Sequence, residues 1–172
     1  MGRLILVSGA NQSGKSAYAE GLAVRACPKR FYVATMIPRT EENLLRIAQH
    51  IRQRAGLDFQ TLELPYRVGA APVSRSSAVL LEDVSNLLSN VIFERGGTWE
   101  QVFSDICALQ GRCDTLVAVT ISGLDPADYC GETADYILAL ERLNQSLARR
   151  AELVVHMEGG RPTVEKGVEM PC

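Results

Sequence analysis

Gly9-Ala10-Asn11-Gln12-Ser13-Gly14-Lys15-Ser16 fits the pattern G-x-x-x-x-G-K-[ST] at each defined position. Ahead of it, Arg3-Leu4-Ile5-Leu6-Val7-Ser8 is a short apolar run suited to a buried parallel strand. Behind it, Ala17-Tyr18-Ala19-Glu20-Gly21-Leu22-Ala23 opens a helical pattern. Strand, glycine-rich loop and helix together predict a cradle of backbone N–H groups around a β-phosphate, with the positive end of a helix behind it. Lys15 is expected to reach the β- and γ-phosphates, and the Ser16 hydroxyl to ligate Mg²⁺. The stretch predicts a protein that holds a nucleoside triphosphate.

The rest of the chain agrees with that start. Apolar strand-like runs at 3–8, 31–35, 59–63, 78–83, 115–122 and 152–157 alternate with helical patterns at 17–26, 41–55, 84–95, 99–110 and 132–150. Such alternation predicts an α/β fold: one P-loop NTPase-like (Rossmann-like) domain over residues 1–172, with a mostly parallel sheet flanked by helices. Thr98 and Gln101 predict a capping box, and Gly96-Gly97 a helix end before it. Tyr136, Leu140, Leu143 and Leu147 predict one apolar face on the last helix. Gly159-Gly160 predicts a short C-terminal hairpin with 163–166. The Pro-, Ala- and Ser-rich stretch 65–77 reads as a surface loop, and the last six residues as loosely held.

Composition excludes several classes. With 172 residues, 47% hydrophobic and 22% charged, the chain has room for one substantial core. A net charge of −2 offers no basic footprint for nucleic acid. No apolar run approaches the ~20 residues of a membrane span, and the first strand leaves no room for a signal peptide. Cys27, Cys107, Cys113, Cys130 and Cys172 are odd in number and form no C-x-x-C pair, which argues against a disulfide framework or a zinc site and fits a cytoplasmic protein. No N-K-x-D base-reading motif of a signalling GTPase occurs.

A phosphate-binding loop also needs a carboxylate to order Mg²⁺ at the end of a neighbouring strand. Val79-Leu80-Leu81-Glu82-Asp83 supplies two candidates, of which one can face the metal because strand side chains alternate; the residues alone favour neither. Two histidines remain. His156 alternates with Val155 and Met157 in a late strand and reads as structural or edge-exposed. His50 lies in a helical pattern whose Leu44, Ile47, Ala48, Ile51 and Ala55 have core-like spacing, while Asn43, Arg46, His50 and Arg54 share another face. Flanking arginines suit polyphosphate and disfavour the imidazolium, keeping a neutral ring available as a nucleophile near pH 7. On the residues alone, a nucleophile and an exposed helix histidine both stay open.

Further stretches are Tyr32-Val33-Ala34-Thr35, Arg46-Ile47-Ala48-Gln49-His50 with Arg54, Thr61-Leu62-Glu63, Leu80-Leu81-Glu82, Ser89-Asn90 and Asn144-Gln145-Ser146-Leu147-Ala148. In this order and spacing, with residues 9–16, the chain resembles the bifunctional adenosylcobinamide kinase/adenosylcobinamide-phosphate guanylyltransferase family, which assembles the nucleotide loop of cobalamin. The resemblance implies that ATP or GTP phosphorylates adenosylcobinamide. It also implies that His50 attacks the α-phosphate of GTP, carries GMP and passes it to adenosylcobinamide phosphate, giving adenosylcobinamide-GDP. It further implies nucleotide contacts at Gly9, Ala10, Asn11, Gln12, Ser13, Gly14, Lys15, Ser16, Ala34, Thr35, Met36, Ile51, Arg52, Gln53, Arg54, Glu63 and Glu82, with His50 and Lys15 catalytic. Ser16 and Glu82 then serve the Mg²⁺, which selects Glu82 over Asp83. A corrinoid substrate and a homotrimer follow from the same resemblance, with no nucleic-acid or membrane partner. The chain departs from the family pattern at Ile121-Ser122-Gly123-Leu124-Asp125-Pro126, at Ala134-Asp135-Tyr136-Ile137-Leu138 and near Glu141. Alternatives from the sequence are a divergent P-loop kinase for another small molecule and a non-catalytic nucleotide-binding paralogue.

Overall fold

The structure is a computed structural model that describes residues 1–169. In chain order its elements are β1 (Arg3–Gly9), α1 (Lys15–Ala26), β2 (Arg30–Ala34), α2 (Glu41–Gln53), β3 (Phe59–Glu63), β4 (Ala78–Glu82), α3 (Val84–Arg95), α4 (Trp99–Gln110), β5 (Thr115–Ile121), α5 (Gly131–Arg150), β6 (Leu153–Glu158) and β7 (Arg161–Lys166). The strands form one sheet in the order β3-β2-β4-β5-β1-β6-β7, in which β1 to β6 run parallel and β7 returns antiparallel beside β6.

Period-two alternation divides each central strand between two cores. Leu4, Leu6, Val79, Leu81, Leu116 and Ala118 face α3, α4 and α5; Ile5, Val7, Leu80, Val117 and Val119 face α1. Buried on both faces, these strands read as unbroken apolar runs. The Thr98–Gln101 capping box forms, and Gly96 ends α3 with a left-handed φ of 60°. Leu140, Leu143 and Leu147 of α5 are buried, as the periodicity requires.

Two expectations are corrected. The stretch 65–77 is not a plain surface loop, because Val68 and Ala71 are fully buried and plug the core beneath α4. Asp105 of α4 accepts the Gly69 N–H at 3.0 Å, and a side chain at Gly69 would collide with it, so this segment is pinned. The second correction concerns α2. Its apolar residues do not enter the core: no residue of α2 is buried, and Leu44, Leu45 and Ile51 are 56%, 65% and 57% exposed. The helix forms because Thr40 caps it, accepting the Asn43 N–H at 3.1 Å, with Glu41 and Glu42 in its first turn. Packing contributes little to it.

His156 sits inside β6, half-buried, with its Nδ1 3.2 Å from the Ser8 hydroxyl, a structural pairing of neighbouring strands. Among the described residues, Cys27, Cys107, Cys113 and Cys130 form no disulfide with one another. Of the C-terminal segment expected to be loose, Val168 accepts a hydrogen bond from Arg3 at 3.2 Å, and residues 170–172, with Cys172, lie outside the described residues.

Candidate nucleotide site

Parallel strands end on a common rim, and open α/β sheets place their sites there. β1 ends at Gly9, where the loop begins, while Ala34 of β2 pairs across to both Glu63 of β3 and Glu82 of β4. The glycine loop, the two acids and the segment after Ala34 are therefore neighbours by register alone.

The loop is built tightly. Gly14 precedes α1 with φ 85°, a left-handed conformation that a side chain resists, and it approaches Gly160 of the terminal hairpin so closely that a Cβ would lie 3.3 Å from that residue's Cα. At Gly9 a Cβ would clash with the Met157 carbonyl. The hairpin braces the loop directly, because the Gly160 N–H donates to the Ser13 carbonyl at 3.0 Å. Lys15 and Ser16 lie in the first turn of α1. The Lys15 ammonium donates to the Ala10 carbonyl at 2.9 Å and arches over the loop. Burial pulls the Lys15 pKa down, against Asp83 and Glu82 which raise it.

The two acids at the end of β4, Glu82 within it and Asp83 just after, separate cleanly. The Ser16 hydroxyl donates to Glu82 Oε1. Glu82 Oε2 is buried without a partner. Burial pushes the Glu82 carboxyl up to about 7, helped by Asp83 and Glu20 and opposed by the Ser16 bond and Lys15. Asp83 instead caps α3: its Oδ1 accepts from the Asn86 N–H at 2.7 Å and the Ser85 hydroxyl at 2.6 Å. Thr35, fully buried, latches the adjoining strands, its hydroxyl donating to the Asp83 carbonyl and accepting the Asp83 N–H. Asn90 donates to the Thr35 and Pro65 carbonyls and fixes the rim from α3.

This chemistry fits a divalent cation. A buried carboxylate oxygen lacking any partner, beside a serine hydroxyl, supplies hard oxygen ligands. Among the described residues no group of three or more His, Cys, Asp and Glu is placed to hold a metal by itself. That suits a Mg²⁺ whose remaining ligands are phosphates and water.

Across the opening stands α2. Arg46 and His50 of α2, Arg54 at its end, and residues 11–16 of the loop line one cavity of about 870 Å³, together with Glu82 and Glu63. His50 Nδ1 is buried with no protein partner. Burial lowers the His50 pKa, and Arg54, Arg46 and Lys15 lower it further against Asp83. The flanking-cation expectation therefore holds in direction, with burial the larger cause, and both favour the neutral imidazole.

Of the residues expected to contact nucleotide, Ala34, Met36, Ile51 and Gln53 also line the cavity. Gly9, Ala10, Thr35 and Arg52 do not: the first two shape the loop, Thr35 is the buried latch and Arg52 is exposed on α2. Sequence reasoning missed Glu20 and Tyr32. Glu20 stood only within the helical run 17–23 and Tyr32 only within the stretch Tyr32-Val33-Ala34-Thr35, neither with a role, yet both are buried against the end of α2. The arginine at position 54, one turn beyond His50, was the available signal.

A family model described as cobinamide kinase / cobinamide phosphate guanyltransferase matches residues 5–164. The chain belongs to this family. The match takes in every element that lines the cavity described above and runs from β1 into the bracing hairpin. The bifunctional adenosylcobalamin biosynthesis protein CobP of Pseudomonas aeruginosa strain PAO1 is 30% identical over 171 residues, covering 94% of this chain and 96% of that protein. CobU of Salmonella typhimurium strain LT2 is 29% identical over 122 residues, 69% of this chain, and the aligned part is 66% of that protein's own length. Among solved structures, the flagellar accessory protein FlaH of Methanocaldococcus jannaschii superposes with a TM-score of 0.55 at 12% identity, over 98% of this chain and 82% of that one. A second solved structure, an ATPase domain, superposes with a TM-score of 0.54 at 9% identity, over 98% of this chain and 78% of that one. These likenesses show a P-loop ATPase fold. The expected α/β P-loop architecture and family are both borne out.

Proposed function

We propose that this family member carries out both steps its family name describes, in cobalamin nucleotide-loop assembly, through one nucleotide site. The observation that carries this reading is that His50 lines the same cavity as Lys15, Ser16 and Glu82. A site for γ-phosphoryl transfer alone has no use for a partnerless imidazole opposite its phosphate loop.

In the kinase step, the adenosylcobinamide hydroxyl attacks the γ-phosphorus of ATP or GTP and gives up its proton to water, the bond to the β-phosphate oxygen breaks, and the nucleoside diphosphate leaves. In the transferase step, a ring nitrogen of His50 attacks the α-phosphorus of GTP. The α–β bridging bond breaks and pyrophosphate leaves. A phosphate oxygen of adenosylcobinamide phosphate then attacks the same phosphorus, the P–N bond breaks, and adenosylcobinamide-GDP forms while His50 is freed. Splitting the transfer keeps two bulky anions from having to meet directly. Lys15, with Arg46 and Arg54, offsets the charge that develops on the phosphates. Bound at Ser16 and Glu82, Mg²⁺ would supply electrostatic stabilisation of the triphosphate. The apolar lip of Met36, Ile37 and Pro38 beside Leu44 offers a surface for the corrinoid acceptor.

Supplying the protein with adenosylcobinamide, ATP, GTP and Mg²⁺ tests the reading. Mass spectrometry is expected to show adenosylcobinamide phosphate and then adenosylcobinamide-GDP. Accumulation of the phosphate alone would reduce the protein to a kinase, and no corrinoid product would remove the substrate assignment. No helix among the described residues is long and apolar enough to cross a membrane; a cytoplasmic place and a homotrimer are part of the same proposal, the latter checked by sedimentation.

A further inference from the structure

The helix that carries His50 lacks the usual means of staying in place. None of its residues is buried, so burial of an apolar face does not seat it. At its N-terminal end the Asn43 side chain donates to the Ile37 carbonyl at 3.3 Å, within its own connecting segment. At its C-terminal end the situation differs. Gln53 Nε2 donates to Glu20 Oε2 of α1 at 2.9 Å. The guanidinium carbon of Arg54 lies 3.2 Å from the ring centroid of Tyr32 on β2. Tyr32 is itself held edge-on by Phe59 of β3, with ring centroids 6.4 Å apart.

These contacts are costly ones for a fold to keep without use. Glu20 is 3% exposed, Tyr32 4% and Arg54 7%. Glu20 Oε1 and one Arg54 Nη are buried with no hydrogen-bond partner. A carboxylate and a guanidinium so placed stabilise the fold little, since each forfeits hydration for an incomplete set of partners. They do fix direction. His50 and Arg54 are four residues apart and share a helix face. Holding Arg54 on the Tyr32 ring, and Gln53 on Glu20, therefore sets the rotation of the last turn of α2 and with it where the imidazole points.

We propose that Glu20 and Tyr32 are positioning residues that clasp the C-terminal end of α2 to α1 and β2 and so hold His50 toward the phosphate loop. The proposal deepens the transferase reading and rests on His50 being the group that is guanylylated. Neither residue touches the reacting atoms; both act through α2.

The test uses the full chain with Glu20→Ala, Glu20→Gln and Tyr32→Leu. Hydrogen exchange, which needs no activity, is read first: Glu20→Ala should speed exchange of the 41–53 amides by about tenfold or more while β1 and β4 stay protected. Glu20→Gln, whose amide oxygen still accepts from Gln53, should restore protection. Single-turnover transfer of label from the α-phosphate of GTP should then fall about 10²-fold in Glu20→Ala and Tyr32→Leu, as expected for a misplaced reacting group. Saturating GTP should not recover that rate, and Glu20→Gln should. Unchanged exchange in α2, or a loss confined to KM, overturns the clasp. If Glu20→Ala fails to fold, Gln53→Ala removes the same bond from an exposed side chain and is read by exchange alone. Should the wild type take up no label, the His50 reading fails, yet the exchange result still decides whether the clasp exists.

Discussion

The loop at the end of β1 and the helix α2 face each other across one cavity but are built on opposite plans. The loop is continuous with the core: Gly9 and Gly14 fit where side chains would clash, the terminal hairpin braces Ser13, and Lys15 is anchored on Ala10. The helix α2 has no buried residue and is held by a few side-chain contacts at its ends. On the proposed reading, the fold preorganises the phosphate loop, whereas delivery of the imidazole rests on a few contacts at the end of α2. The two reactions of that reading share a triphosphate that the loop keeps fixed and differ in what is brought against it.

That contrast is open to attack from either side. The largest effect is expected for His50→Ala, which should abolish guanylyl transfer, a loss of roughly 10⁴-fold or more, as for removal of a nucleophile. Its kinase rate, followed as ADP formation with adenosylcobinamide, should stay within about fivefold of wild type, since covalent catalysis at His50 is not part of that step. Equal loss of both would show the two regions to be one unit. Lys15→Ala should instead lower both steps together, by about 10²–10³-fold, the effect of deleting a charge-stabilising donor; a selective loss would contradict a shared phosphate site.

Glu82→Gln probes the loop side through protons. The Glu82 carboxyl titrates at about 7 in the folded chain against an ordinary value of 4.5, so the folded state binds more protons than the unfolded state between those values. This group therefore lowers stability as pH rises from 4.5 through about 7, and binding of a cation there releases a proton. Calorimetry of Mg²⁺–GTP binding in buffers of different ionisation enthalpy, at a pH just below the folded value, should show proton release that Glu82→Gln abolishes. On the α2 side, Arg46→Ala should move the acid limb of the kcat/KM profile for His50 labelling to higher pH, because a cation that lowers the imidazole pKa is gone. The smallest effect is expected for Leu45→Ser, which should change stability by no more than about 0.5 kcal/mol, as a surface substitution does; a large drop in the urea midpoint would mean that α2 is packed after all.

What was legible in the sequence divides along the same line. Strands buried on both faces announce themselves as apolar runs, and the loop glycines answer to local backbone demands, so β1, the loop, β4 and their order could be read directly. The capping box at Thr98 was legible for the same reason, being written within a single helical turn. The choice between Glu82 and Asp83 was not, since it turns on which side chain caps α3, a three-dimensional fact; the family resemblance selected the acid that meets Ser16, where residue alternation could not choose. The core-like spacing of Leu44, Ile47 and Ile51 misled, because amphipathic periodicity records that a face is apolar and not what it meets. Val68 and Ala71 were hidden inside a stretch of loop composition. The roles of Glu20, and of Tyr32 within its Tyr32-Val33-Ala34-Thr35 stretch, left no pattern, since their partners lie at the end of another helix, far along the chain.

Transfer of the GTP α-phosphate to His50 is the step on which the proposed function stands, and paired labelling reads it without any corrinoid present. Incubated with Mg²⁺ and GTP labelled at the α-phosphate, the protein is predicted to retain label that is acid-labile, base-stable and mapped to the peptide containing His50, while γ-labelled GTP leaves none. Label that persists in His50→Ala, or absence of α-label from the wild type under every Mg²⁺ condition, would contradict the account.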